Sequence, residues 1–485
     1  MGLLDTDEWP GNVFSGRWHP GKGGVAAAIE PATGATLGTF GVADAQDVAD
    51  SAVVALAAQR GWAARNAFER AAVLRRAAEL FHEYADEIVE WTARESGGTR
   101  GRGRLEVNVC AEECREAAAL ATTPYGELLR SPQPRISLER RVPVGLVAVI
   151  SPFNVPLVLS MRSVAPALAL GNAVLLKPDM RTSVCGGVVL ARILEEAGVP
   201  AGVFHMLPGG VDVGSALIDE PAVRVVSFTG STPAGRAIGA RAAGSFTRAH
   251  LELGGNNALV VLGDADVEAA ASCGAFGSFT NSGQVCMGVG RHLVHESLYD
   301  DYVGSLAKKA DALTVGDGFR EEVSLGPIID QKQLARVSGL VERSVAAGAR
   351  LAAGGTHEGL FFRPTVLADC TDETPAYAEE VFGPVACVRK FSTLEEAVGL
   401  ASATEFGLSL GLITDDMAAA MEIADRVPVG LVHVNDQTVN DDPNAPFGGV
   451  GSSGFGRIGG VRANLEAFTE TQWVTIRTTP PHRPL

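Results

Sequence analysis

Between residues 146 and 253 short apolar runs alternate with helical stretches, and this alternation constrains the fold more than any other feature. Leu146-Val147-Ala148-Val149-Ile150 and Ala173-Val174-Leu175-Leu176 are too uniformly apolar for strands with one wet face, and Val203-Phe204-His205-Met206-Leu207 and residues 223–228 read as further strands. Residues 158–170, 188–197 and the stretch from Ala234 carry helical spacing between them. Apolar strands alternating with helices predict a parallel sheet covered on both faces, closing at residues 251–253. A second alternating block runs from Ala258 to about Val434, with helices after Asp266 and over 331–347 and a strand over 430–434. The chain therefore reads as two α/β domains. Ahead of them, residues 1–45 read as loops and edge strands, residues 44–95 and 105–121 as helices, and 136–149 as strand. The terminal run Trp473-Val474-Thr475-Ile476 has no evident partner in either block, and an unpaired terminal strand often completes a sheet in a neighbouring subunit.

Charge and cysteine use exclude several functions. The 485 residues carry a net charge of -17, which disfavours nucleic-acid phosphates and anionic membrane surfaces as partners. Residues 142–161 have the length of a membrane span, but Pro143, Pro152 and Pro156 break them and Asn154 is polar, so they read as strand, turn and helix start. Met1-Gly2-Leu3-Leu4-Asp5-Thr6 matches a myristoylation pattern, but an acidic run follows it, and no basic-then-apolar signal peptide is present. Seven scattered cysteines form no disulfide framework and point to a reducing cytoplasm. Cys110 and Cys114, one helical turn apart, lack further ligands and read as packing, so no metal is expected.

One thiol stands apart. Cys286 lies in Phe279-Thr280-Asn281-Ser282-Gly283-Gln284-Val285-Cys286-Met287-Gly288, among small and amide residues that leave sulfur approachable and backbone N–H groups free. A buried inert cysteine is the plain alternative. Four other stretches weigh against it together: Pro152-Phe153-Asn154-Val155-Pro156 after the first strand, Phe228-Thr229-Gly230-Ser231-Thr232-Pro233-Ala234-Gly235 at a strand-to-helix turn suited to phosphate, Leu251-Glu252-Leu253-Gly254-Gly255, and Glu379-Glu380-Val381-Phe382-Gly383-Pro384. Singly, each has a bland reading as a cap, a helix start or a surface acid. Gly449-Val450-Gly451-Ser452-Ser453-Gly454 is a formal dinucleotide fingerprint, but the polar, proline-broken residues before it make a flexible loop the better reading.

In this order, with Gln284-Val285-Cys286, the stretches resemble the aldehyde dehydrogenase superfamily over nearly the whole chain. Leu176-Lys177-Pro178-Asp179-Met180-Arg181-Thr182, Gly254-Gly255-Asn256-Asn257-Ala258 and Asn435-Asp436-Gln437-Thr438-Val439-Asn440-Asp441 look like its branch containing benzaldehyde and vanillin dehydrogenases. The resemblance implies a Rossmann-like cofactor-binding domain (1–124 and 144–254), an α/β catalytic domain (255–452) and a small β oligomerisation arm (125–143 and 468–485) of a homodimer or homotetramer. It implies Cys286 as nucleophile, Asn154 as oxyanion donor and Glu252 as the base that hydrolyses a thioester. It places Lys177, Gly230, Ser231, Gly235, Glu380, Phe382, Phe153 and Met180 along the cofactor, and Arg162, Val155, Val285, Met287 and Phe447 around a small aldehyde, here an aromatic one. Arg162 either favours a ring bearing a hydroxyl or acid group or turns away into a salt bridge. Many relatives carry glutamate where this chain has Met180, so NAD is the expected cofactor and NADP stays open. A cofactor-free cysteine hydrolase would need a histidine beside the thiol, with His292 and His295 nearest in sequence. A binding protein retaining the fold without activity is the third reading, opposed by the intact Cys286, Glu252 and Asn154.

Overall fold

The computed structural model describes residues 2–482; Met1, where the myristoylation pattern begins, and residues 483–485 of the terminal arm lie outside the described residues. The first alternating block forms an eight-stranded sheet in the order Trp18–Pro20, Asn12–Phe14, Phe204–Met206, Ala173–Lys177, Leu146–Ile150, Val223–Thr229, Arg248–Glu252, Gly454–Phe455. Its five central strands are parallel and, numbered along the chain, run 3-2-1-4-5, the order of a doubly wound dinucleotide fold. The sequence explains why. Val147, Val149, Val174 and Leu176 point into one buried cluster, whereas Leu146, Ala148, Ile150, Ala173 and Leu175 point into another on the opposite face. A strand buried on both faces can tolerate no alternation with polar residues.

The connecting helices cover those faces. Pro156–Ala169 packs against Arg100–Ala121, which also packs against Ala67–Glu83. Cys110 and Cys114 are buried in that layer. Where residues 142–161 suggested a span, the chain forms strands Ile136–Pro143 and Leu146–Ile150 and then the helix start; among the described residues no helix is long and apolar enough to cross a membrane. The residues read as a helix from 188 begin earlier, as a wide turn over Val184–Val188 that runs into Val189–Ala197.

The second block forms a seven-stranded sheet, Arg350–Ala353, Thr365–Ala368, Val385–Phe391, Val289–His295, Asn257–Val261, Ser409–Ile413, Leu431–Val434, parallel except at its first strand. Residues 449–454 are neither a fingerprint nor a loose loop. Val450–Gly451 pairs with Phe406–Gly407, and Gly454–Phe455 pairs with Leu251 and Glu252 at the edge of the first sheet, so this segment stitches the two blocks together. The chain then returns to the first block, where Ile458, Ala467 and Phe468 join its core.

The terminal strand is a correction. Thr469–Ile476 pairs antiparallel with Ile136–Pro143 of the same chain, from Thr469 opposite Pro143 to Ile476 opposite Ile136, and Gly126–Leu129 completes a three-stranded sheet. Its partner lies more than 300 residues upstream, outside both alternating blocks. Leu128, Ile136, Trp473 and Ile476 of this sheet are exposed.

Candidate active site

Four residues of the expected site stand at or just past the carboxyl end of a parallel strand. Asn154 follows Leu146–Ile150, Lys177 ends its strand, Gly230 follows Val223–Thr229 and Glu252 ends Arg248–Glu252. The first and fourth strands are neighbours at the point where strand order reverses, and ligands of such sheets bind in the crevice there.

The Cys286 loop is built by backbone bending. Asn281, Ser282 and Gly283 carry φ of 51, 54 and 65°, three left-handed residues in a row. Each non-glycine there costs roughly 1–3 kcal/mol and persists only where its surroundings hold it. Ser282 Oγ donates to the Gly326 carbonyl at 2.8 Å, and the Gln284 side chain accepts from Ile329 N at 3.0 Å. Beyond the thiol, Asn257 Nδ2 donates to the carbonyls of Cys286 and Gly288, each at 2.9 Å. Within the chain the Cys286 N–H has no partner among the described residues.

Asn154 is 5% exposed and donates one amide hydrogen to the Gln284 carbonyl at 2.9 Å, which sets its side chain beside the Cys286 loop. An amide nitrogen has two hydrogens, and the second has no partner among the described residues. Two donors are thus uncommitted, one on Asn154 and one on the Cys286 backbone.

Burial dominates the electrostatics. It pushes the Cys286 thiol up to about 12, with the Glu380 and Glu252 carboxylates adding to the rise and Arg162 opposing it. Burial likewise raises Glu252 well above the ordinary carboxylate range, against the pull of Arg457, Arg162 and the Gly449 N–H. One Glu252 oxygen is buried without a partner. Glu380 is raised to about 7 by burial although it accepts from Gly255 N at 3.0 Å. The thiol therefore sits with two carboxylates near enough to disfavour its own ionisation. His292 is held by Ser278 and Tyr302, each at 2.7 Å, and His295 by Ser297, so neither histidine serves Cys286 as the hydrolase reading requires.

Val285, Met287 and Phe447 come together with Leu408 in one buried cluster that Cys286, Leu431 and Val439 flank. Leu408 escapes a sequence reading because nothing in its immediate context sets it apart from core, and Val439 lies in the 435–441 segment without being assigned to the pocket by that pattern. Arg162 turns into ion pairs with Glu113, at 3.2 Å, and with Asp441, and its guanidinium lies 4.8 Å from the Phe447 ring centre. Val155, partly buried, packs on the first domain's core at the entry to the helix that Pro156 opens. Met180 packs on the same core from the short turn Met180–Thr182.

At the other end of the crevice, Phe153 and Phe382 meet edge to face at 5.9 Å, and Arg181 stacks on Phe153 at 4.0 Å. Arg181 is already paired to Asp179 through two 2.9 Å contacts and to Asp330 at 2.9 Å. Ser231 starts the helix Thr232–Gly244 without a side-chain cap. Gly230 N–H is spent on the Glu252 carbonyl at 3.0 Å, and a side chain at Gly235 would strike Leu253, so these glycines serve strand and helix packing. Lys177 is half-buried and has no hydrogen-bond partner among the described residues, with burial lowering its ammonium and Asp179 and Asp212 opposing that. A dinucleotide fits this crevice: an uncapped helix start for phosphate, an uncommitted ammonium and Glu380 for ribose hydroxyls. No group of three or more potential metal ligands occurs among the described residues.

Residues 18–474 match the model of the aldehyde dehydrogenase family. The chain belongs to that family. It is 60% identical over 478 residues, 98% of each chain, to a vanillin dehydrogenase of Amycolatopsis sp., and 46% identical over 477 residues, again 98% of each, to a benzaldehyde dehydrogenase [NAD(+)] of Pseudomonas putida. The crystal structure of an aldehyde dehydrogenase from Brucella melitensis biovar abortus superposes with a TM-score of 0.94 at 34% identity, covering 98% of this chain and 99% of that one. As in any aldehyde dehydrogenase, the substrate is a small-molecule aldehyde.

Proposed function

We propose that this aldehyde dehydrogenase oxidises benzaldehyde-type aromatic aldehydes to carboxylic acids with NAD. The carrying observation is the apolar wall of Val285, Met287, Leu408 and Phe447 beside Cys286, which suits a flat ring. The names of the vanillin and benzaldehyde dehydrogenases support the same class.

In this reading Cys286 attacks the carbonyl carbon. The free amide hydrogen of Asn154 and the Cys286 N–H stabilise the oxyanion, and each such donor contributes about 2.7–4 kcal/mol in acyl chemistry. A bound nicotinamide dinucleotide supplies the hydride acceptor, held by Lys177, Ser231, Glu380, Phe382 and Phe153. The Glu252 carboxylate, kept basic by burial, takes a proton from the water that cleaves the thioester. NADP is the weaker candidate, because Arg181 is committed to Asp179 and Asp330.

We also assign 1–124 with 144–254 to cofactor binding, 255–452 to catalysis and the 125–143 and 468–485 sheet to subunit contact in a dimer or tetramer, on the exposed Leu128, Trp473 and Ile476. Seven free thiols favour the cytoplasm.

The test is initial rate on benzaldehyde, vanillin, salicylaldehyde, phenylacetaldehyde and hexanal with NAD and NADP side by side. Ring aldehydes with NAD should lead; a leading hexanal overturns the aromatic assignment. No aldehyde oxidation with either cofactor, beside cofactor-free cleavage of an activated ester at Cys286, would restore the hydrolase reading.

A further inference from the structure

Asn154 is the last residue but one before a helix that cannot cap itself. Val155 offers no side-chain acceptor, and Pro156 opens the helix Pro156–Ala169. The first N–H groups of that helix need acceptors from elsewhere. Glu106 provides one from the neighbouring helix Arg100–Ala121, its Oε2 accepting from Leu157 N at 3.2 Å. Glu106 is 1% exposed, and its other oxygen makes no hydrogen bond. That oxygen faces Arg102 Nε at 3.4 Å, one helical turn away on the same face. Arg102 in turn donates from Nη2 to the Asn154 carbonyl at 3.4 Å, and Asn281 Nδ2 reaches the same carbonyl at 3.1 Å.

We propose that Arg102 and Glu106 are positioning residues for Asn154, fixing its backbone so that its side-chain amide addresses the oxyanion formed at Cys286. The inference rests on the reading of Asn154 as an oxyanion donor. Its physical content is a two-point clamp. Glu106 holds the helix start from one side of Asn154, Arg102 holds the Asn154 carbonyl, and the ion pair between them ties the two grips to one helix. A buried carboxylate with one oxygen lacking a hydrogen bond is expensive to keep for capping alone, since a neutral acceptor would serve. The Arg102 contact gives the charge a use. Glu95, on the preceding helix Ala85–Ser96, shows the cap without the clamp: both its oxygens accept backbone N–H groups, from Val184 and Cys185, and it forms no ion pair with an arginine among the described residues.

The test compares the full-length enzyme at saturating cofactor with Arg102→Met, Glu106→Gln, Asn154→Ala and the double variant Arg102→Met/Asn154→Ala, reading the first-turnover burst of reduced cofactor against the steady-state rate. Glu106→Gln keeps an acceptor for Leu157 N–H but removes the charge facing Arg102. A donor displaced by about 1 Å costs on the order of 100-fold, so Arg102→Met should slow the first turnover by about 10- to 100-fold with cofactor KM and melting temperature little changed. Glu106→Gln should slow it in the same sense. In the Asn154→Ala background Arg102→Met should add less than about twofold, because residues acting as one unit are not additive. A full multiplicative loss in the double variant, or an unchanged burst in Arg102→Met beside a slowed Asn154→Ala, overturns the positioning role alone. An unchanged burst in Asn154→Ala removes the donor reading and this role with it.

Discussion

Gly283 is the tightest point of the thiol loop, and replacing it measures how accurately Cys286 must be held. Its φ is 65°, and a β-carbon there would lie 2.1 Å from the Gly383 carbonyl oxygen and 2.6 Å from Pro384 N. Ordinary carbon-to-oxygen contacts begin near 3.4 Å, so Gly283→Ala forces the two strands of chain apart by about 1.3 Å. Both sides of that clash belong to the site, Cys286 three residues away on one and Phe382 adjacent on the other. A misplacement of about 1 Å costs on the order of 100-fold in rate, and the left-handed alanine adds roughly 1–2 kcal/mol of destabilisation. The first-turnover burst should therefore slow by about 100-fold in stopped-flow measurements. Gly288→Ala in the same loop is the graded control: its nearest contact is the Val285 carbonyl at 3.0 Å, its φ is ordinary, and a loss of less than about fivefold is expected from a displacement of a few tenths of an ångström. A Gly283→Ala enzyme with a burst within threefold of wild type would refute the claim that this contact sets the thiol's position.

Other expectations follow from the same geometry. Cys286→Ala should abolish turnover while cofactor binding by fluorescence titration persists; residual turnover would remove the nucleophile assignment. Glu252→Gln should keep the burst but lower steady-state turnover by about 10²- to 10⁴-fold, the usual worth of a general base; loss of the burst places Glu252 earlier in the reaction. Glu30 is buried, and although burial raises its carboxyl, Arg320, Thr33 and Arg94 hold it down at about 2. Its stabilisation is thus present above the ordinary value of 4.5 and lost as pH falls towards 2, so Glu30→Gln should melt lower than wild type at pH 7 and converge with it in strong acid; equal melting at pH 7 contradicts the ion-pair account. Removing residues after Thr471 strips Ile136–Pro143 of most of its partner strand and should give a monomer or insoluble protein; an unchanged oligomer by light scattering excludes the arm as the subunit contact.

What was legible in the sequence was what local pattern dictates. Strands such as Leu146–Ile150 announce burial on both faces, and that burial is what the structure shows. Contacts set by distant chain were not legible. Arg162 and Asp441 are 279 residues apart, and neither side chain advertises the other. Thr469–Ile476 read as partnerless because its partner falls outside both alternating blocks. Val155 and Met180 come to the site only through the resemblance, and the packing of both on the first core is set by a proline and a short turn that local pattern does not weigh. Nor could the sequence show that Gly230 N–H meets the Glu252 carbonyl or that Leu253 leaves no room for a side chain at Gly235.

The stitch at residues 449–455 has a consequence for how the enzyme comes off the ribosome. Until that segment emerges, the strand ending in Glu252 is the bare edge of a parallel sheet, open to pairing with any passing strand. Gly449 and Arg457, which favour the Glu252 charge, are also still unsynthesised when Cys286 and Glu380 have been made. A nascent chain therefore carries its nucleophile before its base has its full surroundings, and the strand on which the base sits is still an open edge. The same segment closes the edge and completes the surroundings of the base, so a chain that stops short of it lacks both and leaves an unpaired strand edge.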